Sequence, residues 1–538
     1  MNNHSVTNVV PSFESFIQLA KSHNRIPVSV TFQSDLETPL SAYLKLVKGD
    51  NGFLLESVEK NEQVARYSIV GFSPSGVFKA KDGVLTHQNG GRISTVKAPN
   101  PLQVIKSQVS SIRQAPLEGV GPGFLGGLVG FISYDAVRYF EKLPSQKPDV
   151  LNLPDLYLMV TDQLVLFDHL KRTLRLVVNV VIEEKTNLRK VYDQAVRRLL
   201  ELSTQLATPL KGVSEMPVMA MEKPGPNDLF GFKANMTSEA FKGVVDKSKE
   251  YIKAGDIIQV VGSQRFEKET AVDAVSVYRV LRRLNPSPYM FILKAGEVDL
   301  VGSSPEMMIK VQDGTVETRP IAGSRPRGRT PEEDKKLEEG LLADEKELAE
   351  HVMLVDLARN DLGRVCDFGT VKVGQFKRVE RYSHVMHIVS DVTGKLQKNK
   401  NAYDAFQSCF PGGTLSGAPK IRAMEIIEEL EPSRRGIYGG AVVAFGFDGN
   451  MDSAITIRSV VLKKKKAYVQ AGAGLVADSV PESEYLESCN KARAVLMAVN
   501  QAEKVKGEKV ERAKGIKVKG LKGGKVKKGK GARKEVRA

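Results

Sequence analysis

The chain has 538 residues, 41% hydrophobic and 26% charged, a balance that excludes wholesale disorder and is long enough for roughly two to four folding units. Its formal charge of +16 sits mostly at one end: Glu503 to Ala538 holds 12 Lys and 3 Arg against 4 Glu, a net of +11, leaving +5 for the rest, so the body is only mildly basic. No run approaches the roughly 18 apolar residues of a membrane span and no basic-then-apolar leader opens the chain, so a cytoplasmic protein is expected; Cys366, Cys409 and Cys489 make no C-x-x-C pair and H-E-x-x-H is absent, which argues against disulfides and zinc.

Residues 1–205 alternate short β-like runs (VSVTF, GFLLES, YSIVGF, GFLGGLVGFISYD, LYLMVTDQLVLFDH, LRLVVNVVI) with Gly/Pro punctuation, followed by a helix at 187–205. Gly121, Gly123 and Gly126 satisfy G-x-G-x-x-G, but a dinucleotide site needs a helix to open there and GLVGFISYD reads as a strand; close backbone packing is the expected use of these glycines. A Pro/Met/Gly/Ser-rich linker, 206–228, leads into a second unit, 229–501. That unit opens with a helix from Thr237, its cap, to Ala254, stopped by Gly255. Strand-like runs then alternate with helices at 332–360, 418–431 and 482–500. Strands grouped in runs between helices predict an α+β fold in place of a doubly wound α/β one. The Lys/Gly-rich remainder, 502–538, lacks aromatics and apolar periodicity and reads as disordered; it could attract nucleic acid only through non-specific charge contacts.

Within DEKELAEHVMLVDLARNDLG, Leu348, Val352 and Val355 recur at helical spacing, while Glu347 and Glu350, three apart, share another face. Far downstream, PESEYLESCNKARAVL offers Glu487 from a second helix. Sparse carboxylates from two helices suit Mg²⁺, which keeps waters and an anionic substrate as its other ligands; a solvated acidic face has the same spacing.

Blocks in a fixed order carry a resemblance: LLES, NPSPYMF, VGSSPE, TRPIAGSRPRG, EHVMLVDLARNDLGRV, RYSHVMHIVS, CFPGGTLSGAPK, RRGIYGGAV, ITIRS, QAGAG and ESCNKA. To about residue 500 the chain resembles the large subunits (component I) of the anthranilate synthase family of chorismate-utilising enzymes, which implies the α+β chorismate-binding fold, mixed or antiparallel sheets forming a sandwich flanked by helices. The resemblance implies Mg²⁺ between the substrate's ring carboxylate and Glu350 and Glu487, with Glu347 nearby. It implies substrate contacts at Arg458, Tyr438, the amides of Gly472, Ala473 and Gly474, and at Gly323 and Ser324, where the family more often has Thr in place of Ser324. Arginine offers planar bidentate donors to a carboxylate, and glycine lets amides approach an anion.

Glu306 resembles the family's general acid for departure of the ring C4 hydroxyl, and His387, not His384, its base for the C2 proton; such an acid needs a raised pKa in a shielded pocket. Thr414 falls in a Gly-rich turn before a helix expected near Ala418, and the block is no phosphate loop, since Lys420 has no following Ser or Thr. Where water-adding relatives carry a lysine base this chain has Gln259, which can orient ammonia but not deprotonate water. Ala322, in PIAG, stands where aminodeoxychorismate synthases typically show lysine.

Anthranilate from chorismate and ammonia is therefore the expected product, with isochorismate or aminodeoxychorismate synthesis as rivals and nucleic-acid binding through the tail as a reading of another class. None of the cysteines sits in a glutaminase nucleophile turn, so a separate glutamine amidotransferase subunit is implied as the ammonia source. Ser57 in LLES, with Pro288, Tyr289 and Met290, resembles the family's tryptophan feedback pocket.

Overall fold

The structure, a computed structural model, describes residues 8–57, 66–117, 123–144, 147–210, 225, 228–382 and 385–513, with side chains described as far as Lys506. Two large sheets dominate it. The first, of 12 strands, runs in the order Arg25–Gln33, Thr173–Val181, Gln163–Asp168, Tyr67–Phe72, Asn51–Glu56, Tyr289–Ala295, Val298–Ser304, Ser459–Lys463, Lys466–Leu475, Gln259–Glu269 and Lys233–Ala234, with Gly417–Ala418 also pairing to Gln259–Glu269. The second, of 11 strands, brings Gly76–Lys81, Gly127–Ile132 and Leu156–Thr161 beside Ala441–Gly446 and Met451–Ile455. A 3-stranded sheet joins Ile321–Pro326, Val385–Val389 and Arg378–Arg381.

Alternation puts Phe53, Phe291, Leu293 and Leu300 of the first sheet against Val129, Phe131, Met159 and Val442 of the second, forming the sandwich core. Helices cover the outer faces. Leu199, Tyr278 and Val495 close the first sheet, and Ile105, Val355 and Phe406 the second. This is the expected α+β sandwich. Among the described residues no helix is long and apolar enough to cross a membrane.

The boundary drawn at 205–229 is one of sequence, because both sheets run across it. Asn51–Glu56 pairs with Tyr289–Ala295, and Gly127–Ile132 with Ala441–Gly446, so neither half buries its apolar strands without the other. The linker itself lies largely outside the described residues. Gly127–Ile132 is a strand, as GLVGFISYD suggested, and the expected close approach holds at Gly126, where a Cβ would fall 2.7 Å from the Asn179 side-chain nitrogen, and also at Gly127, 1.9 Å from the Phe445 carbonyl oxygen, and Gly130, 1.8 Å from that of Tyr157. Gly121 lies outside the described residues.

Four expectations need correction. The helix expected at 332–360 is two, Pro331–Leu342 and Glu345–Gly363, because Asp344 folds back to cap the second by accepting from the amides of Lys346 and Glu347. Within that second helix Val352 faces outward, and the buried stripe is His351, Leu354, Val355, Ala358 and Leu362. The helix after Thr414 starts at Lys420; Ala418 is a strand residue opposite Gln259, and Pro419, which has no N–H to give, precedes the first turn. Finally, the C-terminal helix runs Pro481–Ala513, past the expected start of the tail at 502, because Ala502 and Val505 extend the buried row of Val495, Ala498 and Val499. Lys268 ties its far end by pairing with Glu503 at 2.7 Å. Residues 514–538 lie outside the described part.

Candidate active site

The site is assembled on three supports: the capped helix Glu345–Gly363, the paired strands Gln259–Glu269 and Lys466–Leu475, and the first turns of the helix Pro481–Ala513. The strand register sets Val261 opposite Gly474, Gly262 opposite Ala473 and Ser263 opposite Gly472. Gln259, 4% exposed, lies just beyond and donates its amide to Glu350 at 3.1 Å. Gly474 is required here. A Cβ there would fall 2.6 Å from the Gln259 amide nitrogen and 3.8 Å from the Glu350 carboxylate. Gly323, in the left-handed region at φ 66°, does the same on the other side, where a Cβ would stand 3.2 Å from the Glu347 carboxylate.

Burial and the neighbouring Glu350 charge push the Glu347 carboxyl up, against the pull of Arg325, whose guanidinium is 3.5 Å away. Arg325 also pairs with the cap, Asp344, at 2.6 Å, so the start of the helix is held by charge as well as by capping. Glu487 is less closely drawn in. It takes the Lys491 ammonium at 2.7 Å with its side chain 47% exposed, and its charge acts on Arg458. Among the described residues no three His, Cys, Asp or Glu side chains converge as a metal-ligand cluster.

Arg458, at φ 51°, donates to the Lys491 carbonyl at 2.6 Å, which ties the strand turn to the C-terminal helix. Burial pulls its pKa down while Tyr438 and Glu487 push it back up. Burial holds the Tyr438 hydroxyl un-ionised, pushed up to about 12. These two polar groups lie in a poorly solvated corner, and among the described residues no carboxylate is bonded to them, an arrangement suited to receiving one.

Glu306 is 9% exposed, and Thr414, in the short turn Gly413–Leu415, donates its hydroxyl to it at 2.7 Å. Burial pushes the Glu306 carboxyl up to about 7, with the Thr414 hydrogen bond and the Lys491 charge pulling the other way. Beside it a cavity of about 40 Å³, lined among others by Thr414, Leu354, Leu357, Asp361 and Ile455, has room for water. His387 lies on the strand Val385–Val389, where its Nδ1 is 2.9 Å from both the Gly323 carbonyl and the Ser324 hydroxyl. A carbonyl only accepts, so Nδ1 carries the proton and Nε2 is the basic nitrogen. Burial pulls its pKa below the ordinary histidine value, with the Arg458 and Lys491 charges adding to it, so the ring is neutral near pH 7. His384 lies outside the described residues.

Lys491 was not singled out in the sequence, yet its charge acts on Glu306, His387 and Glu487 alike. Its signal was the i,i+4 spacing to Glu487 in ESCNKA. Glu484, one turn earlier and 9% exposed, was also passed over; burial pushes its carboxyl up.

The four residues set apart for regulation lie on adjoining strands. Met290 pairs with Glu56, and continuing that antiparallel register sets Ser57 beside Tyr289. The Ser57 hydroxyl is buried with no hydrogen-bond partner among the described residues, Pro288 is buried, and the Tyr289 hydroxyl reaches Asp452 at 3.4 Å. Behind them Tyr278, fully buried, donates to Glu56.

The family model of chorismate binding enzymes matches residues 50–497. The chain is 50% identical over 484 residues to anthranilate synthase component 1 of Thermus thermophilus, covering 89% of this chain and 98% of that one. To the same component of Acetivibrio thermocellus it is 46% identical over 497 residues, 92% of this chain and 99% of the relative. The crystal structure of anthranilate synthase component I from Streptococcus pneumoniae superposes with a TM-score of 0.72 at 34% identity, covering 86% of this chain and 99% of that one.

Proposed function

The chain belongs to the anthranilate synthase component 1 family of chorismate binding enzymes, and from that premise we propose that it converts chorismate and ammonia to anthranilate and pyruvate, the first step of tryptophan biosynthesis. The observation that carries the reading is the pairing of two proton carriers in opposite states: a shielded carboxyl, Glu306, held protonated near neutrality, and an imidazole, His387, held neutral with Nε2 as its base.

In this reading Arg458, Tyr438 and the Gly472–Gly474 amides hold the substrate carboxylates, while Gly323 and Ser324 border the ring. Gln259 commits its amide N–H to Glu350, which leaves its amide oxygen to accept from ammonia. The nitrogen lone pair forms the C2–N bond, the ring double bonds shift, and the C4–O bond breaks as Glu306 gives its proton to the departing hydroxyl, which leaves as water. The new ammonium sheds one proton. His387 then takes the C2 proton, and the electron pair left behind completes the aromatic ring and expels enolpyruvate, which gains a proton as pyruvate.

The donor set fits Mg²⁺: Glu350 and Glu347 form a close acidic pair beside two Cβ-free positions, Gly323 and Gly474, and so few protein ligands leave coordination places for waters and a substrate carboxylate. Glu350 would hold the ion with Glu487, once Lys491 releases it, and Glu347 at the margin. Bound there, Mg²⁺ would supply charge neutralisation for the ring carboxylate. A glutamine amidotransferase subunit would supply ammonia. Tryptophan as feedback inhibitor is supported by the Ser57 hydroxyl, without a partner among the described residues, beside Pro288, Tyr289 and Met290. A cytoplasmic location agrees with three buried, free thiols.

The test is product analysis with the isolated chain. Chorismate, Mg²⁺ and ammonium salt should give fluorescent anthranilate and pyruvate in equal amounts, and glutamine should replace ammonium only when the amidotransferase is added. A non-aromatic product overturns the reading.

A further inference from the structure

We propose that the buried ion pair Glu431–Arg435 is the positioning element of this site, setting the placement of the substrate-holding strand, of Thr414 and of Tyr438 together; the inference rests on the function proposed above. The pair is 3% and 2% exposed. Arg435 grips Glu431 with two nitrogens, Nε at 3.0 Å and Nη2 at 2.6 Å, and spends its other donors on main chain alone: Nη1 on the Leu415 carbonyl and Nη2 on that of Val261, each at 2.6 Å. Glu431 in turn accepts from the Ser263 amide at 2.9 Å and hydroxyl at 2.7 Å. The guanidinium stands 5.7 Å from the centre of the Tyr438 ring.

Each anchored point adjoins a residue of the site. Leu415 follows Thr414, whose hydroxyl bonds Glu306. Val261 and Ser263 are the register partners of Gly474 and Gly472, and Gln259 is two residues before Val261. An apolar filling would occupy the same space, but it could not bind two carbonyls and an amide from two segments in fixed directions. A buried pair of this kind contributes little net stability while fixing geometry. Lysine at 435 would keep the charge but, as a point donor, could not serve Glu431, Leu415 and Val261 at once.

The experiment uses the full chain with chorismate, Mg²⁺ and ammonium. Arg435→Lys should raise KM for chorismate and lower kcat/KM on the order of 30-fold or more, since a site shifted by a fraction of an ångström loses its alignment. The basic limb of the kcat/KM profile should also move to higher pH, because a displaced Thr414 no longer lowers the Glu306 pKa. The double variant Glu431→Leu with Arg435→Met should recover thermal stability relative to Arg435→Met alone without recovering kcat/KM. Should the position 435 variants not fold, Ser263→Ala, which deletes one donor to Glu431, should still cost about 5-fold in kcat/KM with the melting temperature nearly unchanged. Activity that merely follows stability, an unmoved basic limb, or an apolar double variant as active as the parent overturns the inference. A parent chain that makes no anthranilate defeats the proposed function instead.

Discussion

At the scale of single residues the account rests on protonation. Glu306, pushed up to about 7 by burial, works as an acid only while protonated, so kcat/KM should fall as pH rises through about 7. His387, whose pKa burial lowers, works as a base only while neutral, so the acid limb should lie below the usual histidine value. A bell-shaped profile whose basic limb vanishes in Glu306→Gln, together with turnover reduced by about a hundredfold or more, is the expected outcome. Glu350→Gln and Glu487→Gln should each abolish turnover while circular dichroism and melting stay near those of the parent; normal rates in either variant remove that residue from the metal assignment. Residue types such as Glu306 and His387 were legible because their neighbouring blocks identified them. Their states were not, since a raised or lowered pKa is set by how deeply tertiary packing buries a group.

At the scale of elements, caps and registers decide what the helices and strands present. Asp344 was read as helix interior, although a short acidic side chain before a charged turn is a strong N-cap signal; the structure splits the helix there and aims Glu347 and Glu350 from the second piece. Asp344→Ala should cost about 1 kcal/mol of stability by losing the cap, and it should weaken Mg²⁺ activation, because Arg325 loses its partner 2.6 Å away beside Glu347. Denaturant melts and Mg²⁺ titration of the rate measure the two effects. The strand identity of GLVGFISYD was legible from period and composition. The register that sets Gly474 opposite Val261, and so beside the Gln259 side chain, was not, because antiparallel partners far apart in sequence leave no local mark in either strand.

At the scale of the whole molecule, the division of the sequence at 205–229 does not divide the sheets. In each large sheet a block of strands from the first half is joined at one seam to a block from the second, and Ser57, from the first half, and Tyr289, from the second, lie at the seam of the first sheet. That shared seam gives a regulatory ligand at Ser57 a mechanical path to the catalytic strands, provided the ligand binds one arrangement better than another. The C-terminal helix likewise carries Glu487 and Lys491 at its start and packs through Ala502 and Val505 near its end. Cutting the chain after residue 501 should therefore lower stability by about 2 kcal/mol, from the lost burial of those side chains, whereas cutting after 513 should leave melting and kcat unchanged. Composition had assigned 502–513 to the tail because its charge is high; a buried residue every third position is a weaker signal than a run of lysines.

The most direct measurement is anthranilate fluorescence from chorismate and ammonium as Mg²⁺ is removed with EDTA and then restored. The account predicts a signal that disappears with the chelator and returns with excess Mg²⁺. Chorismate left unconverted at every metal concentration, or turned into a compound without the aromatic ring, would contradict it.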